Sequence, residues 1–323
     1  MSNRTTYGGR LPRLLDESGE GWYHVYNRVA CEKSQFPLST IPDARETFLR
    51  FLDFYSNIYC CEIATYAIMG NHYHIILRMQ PYRQFSEEER QIKVETLYPN
   101  TYKQANAWSD EYWEQFNQRM FSLSELMRNI QQGYARWFNK NHNRRGRFWA
   151  DRFKSTILYG EESLIECMQY VDLNPVRAGL VERPEDYAQG AFALRYKNEA
   201  DALLPLHSVT NERYEVDAFE IYRSQVYLRG DVPSKDGEAS LSSDIIDREL
   251  ANDFKLNYEQ RNNGSLRRFT DGLVLGTQKH IENWVNKLDK WGFYKRRKKP
   301  NEISPTLFAL RSQRKHFEGD STS

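Results

Sequence analysis

The sequence lacks three things that would make its class easy to read: a net charge, a cysteine pattern and a long apolar run. Among 323 residues, 45 Lys and Arg stand against 44 Asp and Glu, so the overall balance points to no polyanionic partner. The four cysteines, Cys31, Cys60, Cys61 and Cys167, form no C-x-x-C pair, which removes the common zinc and dithiol motifs. Neighbouring Cys60 and Cys61 would face opposite sides of a strand, and free thiols in a reducing compartment are the economical expectation. No stretch reaches the length of a membrane span, and "MSNRTTYGGRLPRLLDESGEGW" carries no apolar leader core. An intracellular, cytoplasmic protein without a membrane partner is expected. No internal repeat or long low-complexity tract is present.

What is there is alternation of strand-like and helix-like patterning. "GWYHVYNRVA" (21–30) is aromatic and β-branched and reads as a strand. Residues 41–59 repeat Phe48, Leu49, Leu52, Tyr55 and Ile58 at helical spacing, with Asp43 as the expected N-cap. "CEIATYAIM" and "HYHIILRM" are two strand-like runs broken at Gly70-Asn71, which predicts a hairpin. Residues 80–117 are polar and predict a helical excursion or a long loop. The stretch 122–142 predicts a helix opened by Ser122 or Ser124, and roughly 152–159 a further strand. Residues 161–175 predict a shorter helix with Leu164, Cys167, Met168 and Val171 inward, ended by Pro175. This order predicts an α+β fold, an antiparallel sheet flanked by helices. The composition shifts near residue 191. Three segments are expected: a domain over 1–190, an irregular linker over 191–243, and a basic, mainly helical extension over 244–323.

Charge is concentrated locally. Between Arg119 and Gly160, nine basic residues face only Glu125 and Asp151, and Tyr134, Trp137, Phe138, Phe148, Trp149 and Phe153 are interleaved with them. Cations suit phosphates and aromatic faces suit unpaired bases, so this block predicts a nucleic-acid surface. Its expected contacts are Arg136, Arg144, Arg145, Arg147, Trp149, Arg152 and Lys154. A solvated charge run around a turn is the plainer alternative. The basic tail "YKRRKK" (294–299) says less, since such tails bind many polyanions or none.

"AIMGNHYHIILRM" (67–79) places His72 and His74 on the same face of a strand, where period two alternates the sides. They are either two polar residues at a sheet edge or a pair of metal ligands, and the motif alone leaves both open. In "CMQYVDLNPVRAGLV" (167–181), Tyr170 and Asn174 lie four apart, hence on nearly one helix face. There a tyrosine can act as a nucleophile and an amide oxygen can ligate a hard cation. A half-buried aromatic and a C-cap before Pro175 explain the same residues without chemistry.

Four blocks taken in order, "YHVYNRV", "MGNHYHIIL", "GYARWFNKNHNRRGRFWADRFKS" and "YVDLNPVRAGLV", resemble the REP-associated tyrosine transposases. These are single-tyrosine members of the HUH endonucleases, named for a His-hydrophobe-His motif that His72-Tyr73-His74 fits. The resemblance covers roughly residues 21–190. It implies an HUH core of ferredoxin-like type, metal ligation by His72, His74 and Asn174, and Tyr170 as nucleophile. It also implies Mg²⁺ or Mn²⁺ as cofactor and single-stranded or hairpin DNA of REP type as partner, near the nucleoid. Gly70 stands where many relatives have proline, and 80–117 reads as an insertion. The stretch 267–284 resembles a region appended in some members. Tyr134 competes for the nucleophile's role, but it shares the apolar stripe of Ile130 and Phe138 and is expected to pack inward or line a groove. A non-catalytic nucleic-acid-binding protein and a water-using phosphoesterase are the other functions these residues fit.

Overall fold

The computed structural model describes residues 21–32, 35–210, 215–231, 238–256, 274–276, 301–304 and 307–310. The chain divides into two compact units, Met1–Asp172 and Leu173–Ser323. The first holds β1 (Gly21–Arg28), α1 (Pro37–Thr40), α2 (Ala44–Ile58), β2 (Cys61–Ile68), β3 (His72–Met79), α3 (Glu87–Leu97), α4 (Asp110–Met120), α5 (Leu123–Asn141) and β4 (Lys154–Leu158). Helix α6 (Glu161–Arg177) begins in it and runs on into the second unit. The four strands form one antiparallel sheet in the order β2-β3-β1-β4. The expected α+β class, an antiparallel sheet flanked by helices, is the one the chain adopts.

Register decides what each sheet face carries. Tyr26 pairs with His74, His24 with Ile76 and Arg28 with His72 across β1 and β3. Tyr26 also pairs with Lys154 on β4. Paired residues share a face, so His24, Tyr26, His72, His74 and Lys154 all project to one side. Tyr23, Val25, Tyr73, Ile75 and Leu77 project to the other and are buried. That second face is where α2 and α5 pack. The Phe48 ring lies 4.9 Å from Tyr73, and the Gln131 side-chain amide donates to the Tyr73 hydroxyl at 2.6 Å. Each fully buried ring of this cluster stabilises the unit by about 2–3 kcal/mol of transfer free energy.

Helix boundaries follow local chemistry, with two departures from expectation, at Asp43 and Pro175. Helix α5 opens at Ser122, whose hydroxyl accepts from the Glu125 N–H at 3.3 Å. Asp43 stands at the start of α2 but is left-handed (φ 59°), and its side chain caps nothing. Its backbone carbonyl instead accepts from Thr47 N–H at 2.9 Å. Residues 80–117 are largely helical, α3 being opened by a reciprocal Ser86–Glu89 capping box. Pro175 lies inside α6 rather than ending it. The ring removes one backbone donor, yet Ala178 N–H still bonds the Asn174 carbonyl at 2.9 Å. The helix ends in a Schellman closure: Gly179 (φ 65°) bonds to Val176 at 2.8 Å and Leu180 to Pro175 at 3.0 Å.

In the second unit, the described residues after 190 form α7 (Ala191–Tyr196), α8 (Glu215–Gly230), α9 (Ser243–Ala251) and a small sheet. That sheet joins β5 (Val274–Gly276), β6 (Asn301–Ser304) and β7 (Leu307–Leu310) in the order β5-β7-β6. Arg223 is buried among Glu185, Glu249 and Tyr227, with Nη1 2.7 Å from a Glu249 oxygen. The 294–299 tail, and 267–284 apart from β5, lie outside the described residues.

Candidate active site

The face of the sheet away from α2 and α5 gathers three histidines where the H-x-H motif alone offered two. His72 and His74 come from β3, and His24 from the middle of β1. The His72 and His74 rings are 5.2 Å apart and perpendicular. His24 Nε2 lies 2.9 Å from His74 Nδ1. Their rings are coplanar to within 18° at a centroid separation of 5.1 Å. That separation is close to the N···N distance plus two ring radii. The rings therefore meet edge to edge through an in-plane hydrogen bond and are not stacked.

Each β3 histidine has one nitrogen engaged. His72 Nδ1 sits 2.8 Å from the Asn71 side-chain oxygen, and the Asn71 amide nitrogen faces the Gln35 carbonyl at 3.4 Å. With the amide in this orientation, His72 Nδ1 carries the proton and Nε2 keeps its lone pair. Burial lowers the pKa of all three imidazoles: His24 to about 4, His72 to about 4 with help from Arg28, and His74 to about 3 with help from the other two. Near neutral pH they are uncharged, the form in which imidazole binds a cation.

Tyr170 lies on α6 above this face. Its ring is 5.7 Å from His74 and 6.1 Å from His24, edge-on to both, and it is 38% exposed. The helix is held to the sheet beside it by the Thr65 hydroxyl, which donates to the Asp172 carboxylate at 2.5 Å. Asn174 follows one turn further along α6, within the second unit. Tyr134, the competing tyrosine, is fully buried and donates its hydroxyl to the Ala44 carbonyl at 3.0 Å. Burial pushes its pKa up, so it is a core residue. Leu164, Met168 and Val171 of the expected inward stripe of α6 are buried, while Cys167 is only partly so.

The basic block separates into two populations. Arg136, Arg145, Arg147, Arg152 and Lys154 are exposed. Arg144 is half-buried, donating to the Ala30 carbonyl at 3.0 Å and lying 5.5 Å from the centre of the Phe148 ring. Trp149, expected to offer a stacking face, is instead packed inward. Its indole N–H donates to the Gln131 carbonyl at 3.0 Å, and it meets Phe48, Tyr73 and Tyr134 edge-on or tilted. Its backbone bridges Val29, tying the basic loop to the end of β1. Lys154 belongs to the histidine face, with its ammonium 5.8 Å from the centre of the Tyr26 ring.

Among the described residues, no group of three or more His, Cys, Asp or Glu is gathered in a way that could hold a metal ion. The donors that fit a cation here are two neutral imidazoles, each engaged at Nδ1, which leaves oxygen donors to complete the shell. His24 and Asn71 are the residues that sequence reasoning missed. Asn71 stands beside the motif, where its pairing with Gly70 signals only a turn. His24 stands in "YHVYNRV", but nothing local joins it to a residue fifty positions later. Among the described residues, no helix is long and apolar enough to cross a membrane.

No family model matches the chain, and no curated protein matches it. Among solved structures, it is similar to a REP-associated tyrosine transposase bound to a REP hairpin. That similarity covers 61% of this chain and 88% of the other, at 13% identity and a TM-score of 0.40.

Proposed function

We propose that the chain is a single-strand DNA endonuclease and strand transferase, a transposase, that works through a covalent 5′-phosphotyrosine. The observation that carries this reading is Tyr170, open to solvent and set edge-on against two histidines on the face that also presents His72. In the proposed reaction the Tyr170 hydroxyl oxygen attacks the scissile phosphorus and gives up its proton. The bond from phosphorus to the 3′ oxygen breaks, and that oxygen leaves as a free 3′-OH. The phosphodiester energy is kept in the adduct, so a second strand's 3′-OH can reverse the step without ATP. His72 and His74, with Asn174, would hold Mg²⁺ or Mn²⁺, which when bound offsets charge on the phosphate.

The exposed Arg136, Arg145, Arg147, Arg152 and Lys154, with Arg144 behind them, supply cations for the phosphate backbone. Hairpin DNA of REP type as substrate rests on the four sequence blocks. The exposed cations suit a phosphodiester backbone and specify no hairpin.

Labelled hairpin DNA incubated with the protein and Mn²⁺ tests the reading. A protein–DNA adduct that survives denaturation is expected from the wild type and Tyr134→Phe, and none from Tyr170→Phe, which still binds the hairpin. Cleavage without an adduct, unaffected by Tyr170→Phe, would indicate attack by water. Hairpin binding with no cleavage in any variant would indicate a non-catalytic binding protein.

A further inference from the structure

We propose that His24 is a positioning residue, accepting the Nδ1 proton of His74 and so fixing that ring with Nε2 turned outward to a divalent cation. The inference rests on the reading of His72 and His74 as metal ligands and adds a residue to it.

Two neutral imidazoles joined by one hydrogen bond have two arrangements. His24 can donate from Nε2 into the lone pair of His74 Nδ1, or His74 can donate from Nδ1 into the lone pair of His24 Nε2. The first leaves the His74 proton on Nε2 and closes that edge to a cation. Only the second leaves the Nε2 lone pair free. Nδ1 itself cannot ligate while His24 occupies its edge at 2.9 Å. A cation on Nε2 draws electron density from the ring and makes Nδ1–H a stronger donor, so ligation and the His24 hydrogen bond reinforce each other.

The position of His24 suits this task. Its register partner is Ile76 and not His74, so it reaches diagonally across the ladder to a residue two places away. The Tyr26 ring, 5.3 Å away and inclined by 26°, packs against it within its own strand. Tyr170 meets it edge-on at 6.1 Å. Both His24 and His74 are buried, so water competes poorly for the bond. His72 has an equivalent in Asn71, which takes the same Nδ1 proton at 2.8 Å. Each proposed ligand thus has its own orienting acceptor, one drawn from the turn and one from the neighbouring strand.

Mn²⁺ binding to the full chain without DNA, followed by the spin-resonance signal of the free ion, tests this apart from catalysis. The variants are His74→Ala, His24→Leu and His24→Gln, each with a thermal melt in EDTA. His74→Ala is expected to lose the site. His24→Leu should weaken Mn²⁺ about 10–100-fold, the range seen when an outer-shell partner is removed. His24→Gln should recover most of that loss, because its side-chain oxygen can accept the same proton. Unchanged affinity in His24→Leu would overturn the role of His24 and leave the metal reading standing. Equal losses in both His24 variants, tracking a fall in melting temperature, would overturn it in favour of a packing role. A wild type that binds no Mn²⁺, or binds it equally well as His74→Ala, removes the metal reading and this inference with it.

Discussion

Acid should loosen the first unit through its histidines, and the size of the effect follows from their burial. His24, His72 and His74 have ordinary values of 6.5 in the unfolded chain and about 4, 4 and 3 when folded. Between those limits the unfolded chain binds protons that the folded sheet refuses, so stability is complete above pH 6.5 and falls as the pH drops toward 4. For one such group, lowering the pH from 7.5 to 5 removes roughly 2 kcal/mol. The three together remove roughly 4–6 kcal/mol, the smaller figure allowing for partly exposed His72. That is a large part of the 5–15 kcal/mol typical of a folded domain. The charged groups facing the trio are Arg28 beside His72 and Lys154 over Tyr26, both cationic, so neither favours protonation. The assay is urea unfolding at pH 7.5 and 5 in EDTA, followed by fluorescence; Trp22, Trp108, Trp113, Trp137 and Trp149 all report from the first unit. Carboxylates contribute to the same slope, so the decisive comparison is with His24→Gln, which removes one titrating group and keeps an acceptor. The acid loss in that variant should shrink by roughly 2 kcal/mol. An identical acid loss in wild type and variant would refute the claim that His24 is held neutral by burial.

Tyr134→Phe should cost about 1–2 kcal/mol in urea unfolding, because the Ala44 carbonyl loses a buried donor, while adduct formation continues. Gly179→Ala should cost about 1–2 kcal/mol of melting stability, since φ is 65° there, and a smaller loss would show that the Schellman closure relaxes. Replacing Arg145, Arg147 and Arg152 with Gln should weaken DNA binding across sequences and flatten its dependence on salt, with the slope of log affinity falling by roughly 3. An unchanged salt slope would assign these side chains to plain solvated surface.

The elements with a strong period were legible in the sequence. Gly70-Asn71 marked the hairpin, Ser122 the start of α5, and strand alternation by itself placed His72 and His74 on one face. What escaped was non-local. Trp149 lies in the basic block by sequence but in the core by packing, because Gln131 and Tyr73 hold partners for it on the far face. The continuation of α6 past Pro175 depends on the closure at Gly179, several residues later. His24 joins the site only through the pairing of β1 with β3, and no window of neighbouring residues contains that register.

That register has a consequence for how this face can vary. Tyr73, the middle letter of the H-x-H motif, is clamped on the opposite side by Gln131, Phe48 and Trp149, so it acts as an anchor and not as a spacer. Substitutions around the histidines change the face by degrees. A single inserted or deleted residue in β1 or β3 would be of another kind, since it inverts every side chain beyond it. It would send imidazoles into the aromatic core and a tyrosine out onto the face they now occupy. The face should therefore tolerate drift in composition and almost none in length, with every insertion displaced to the loops that join the strands.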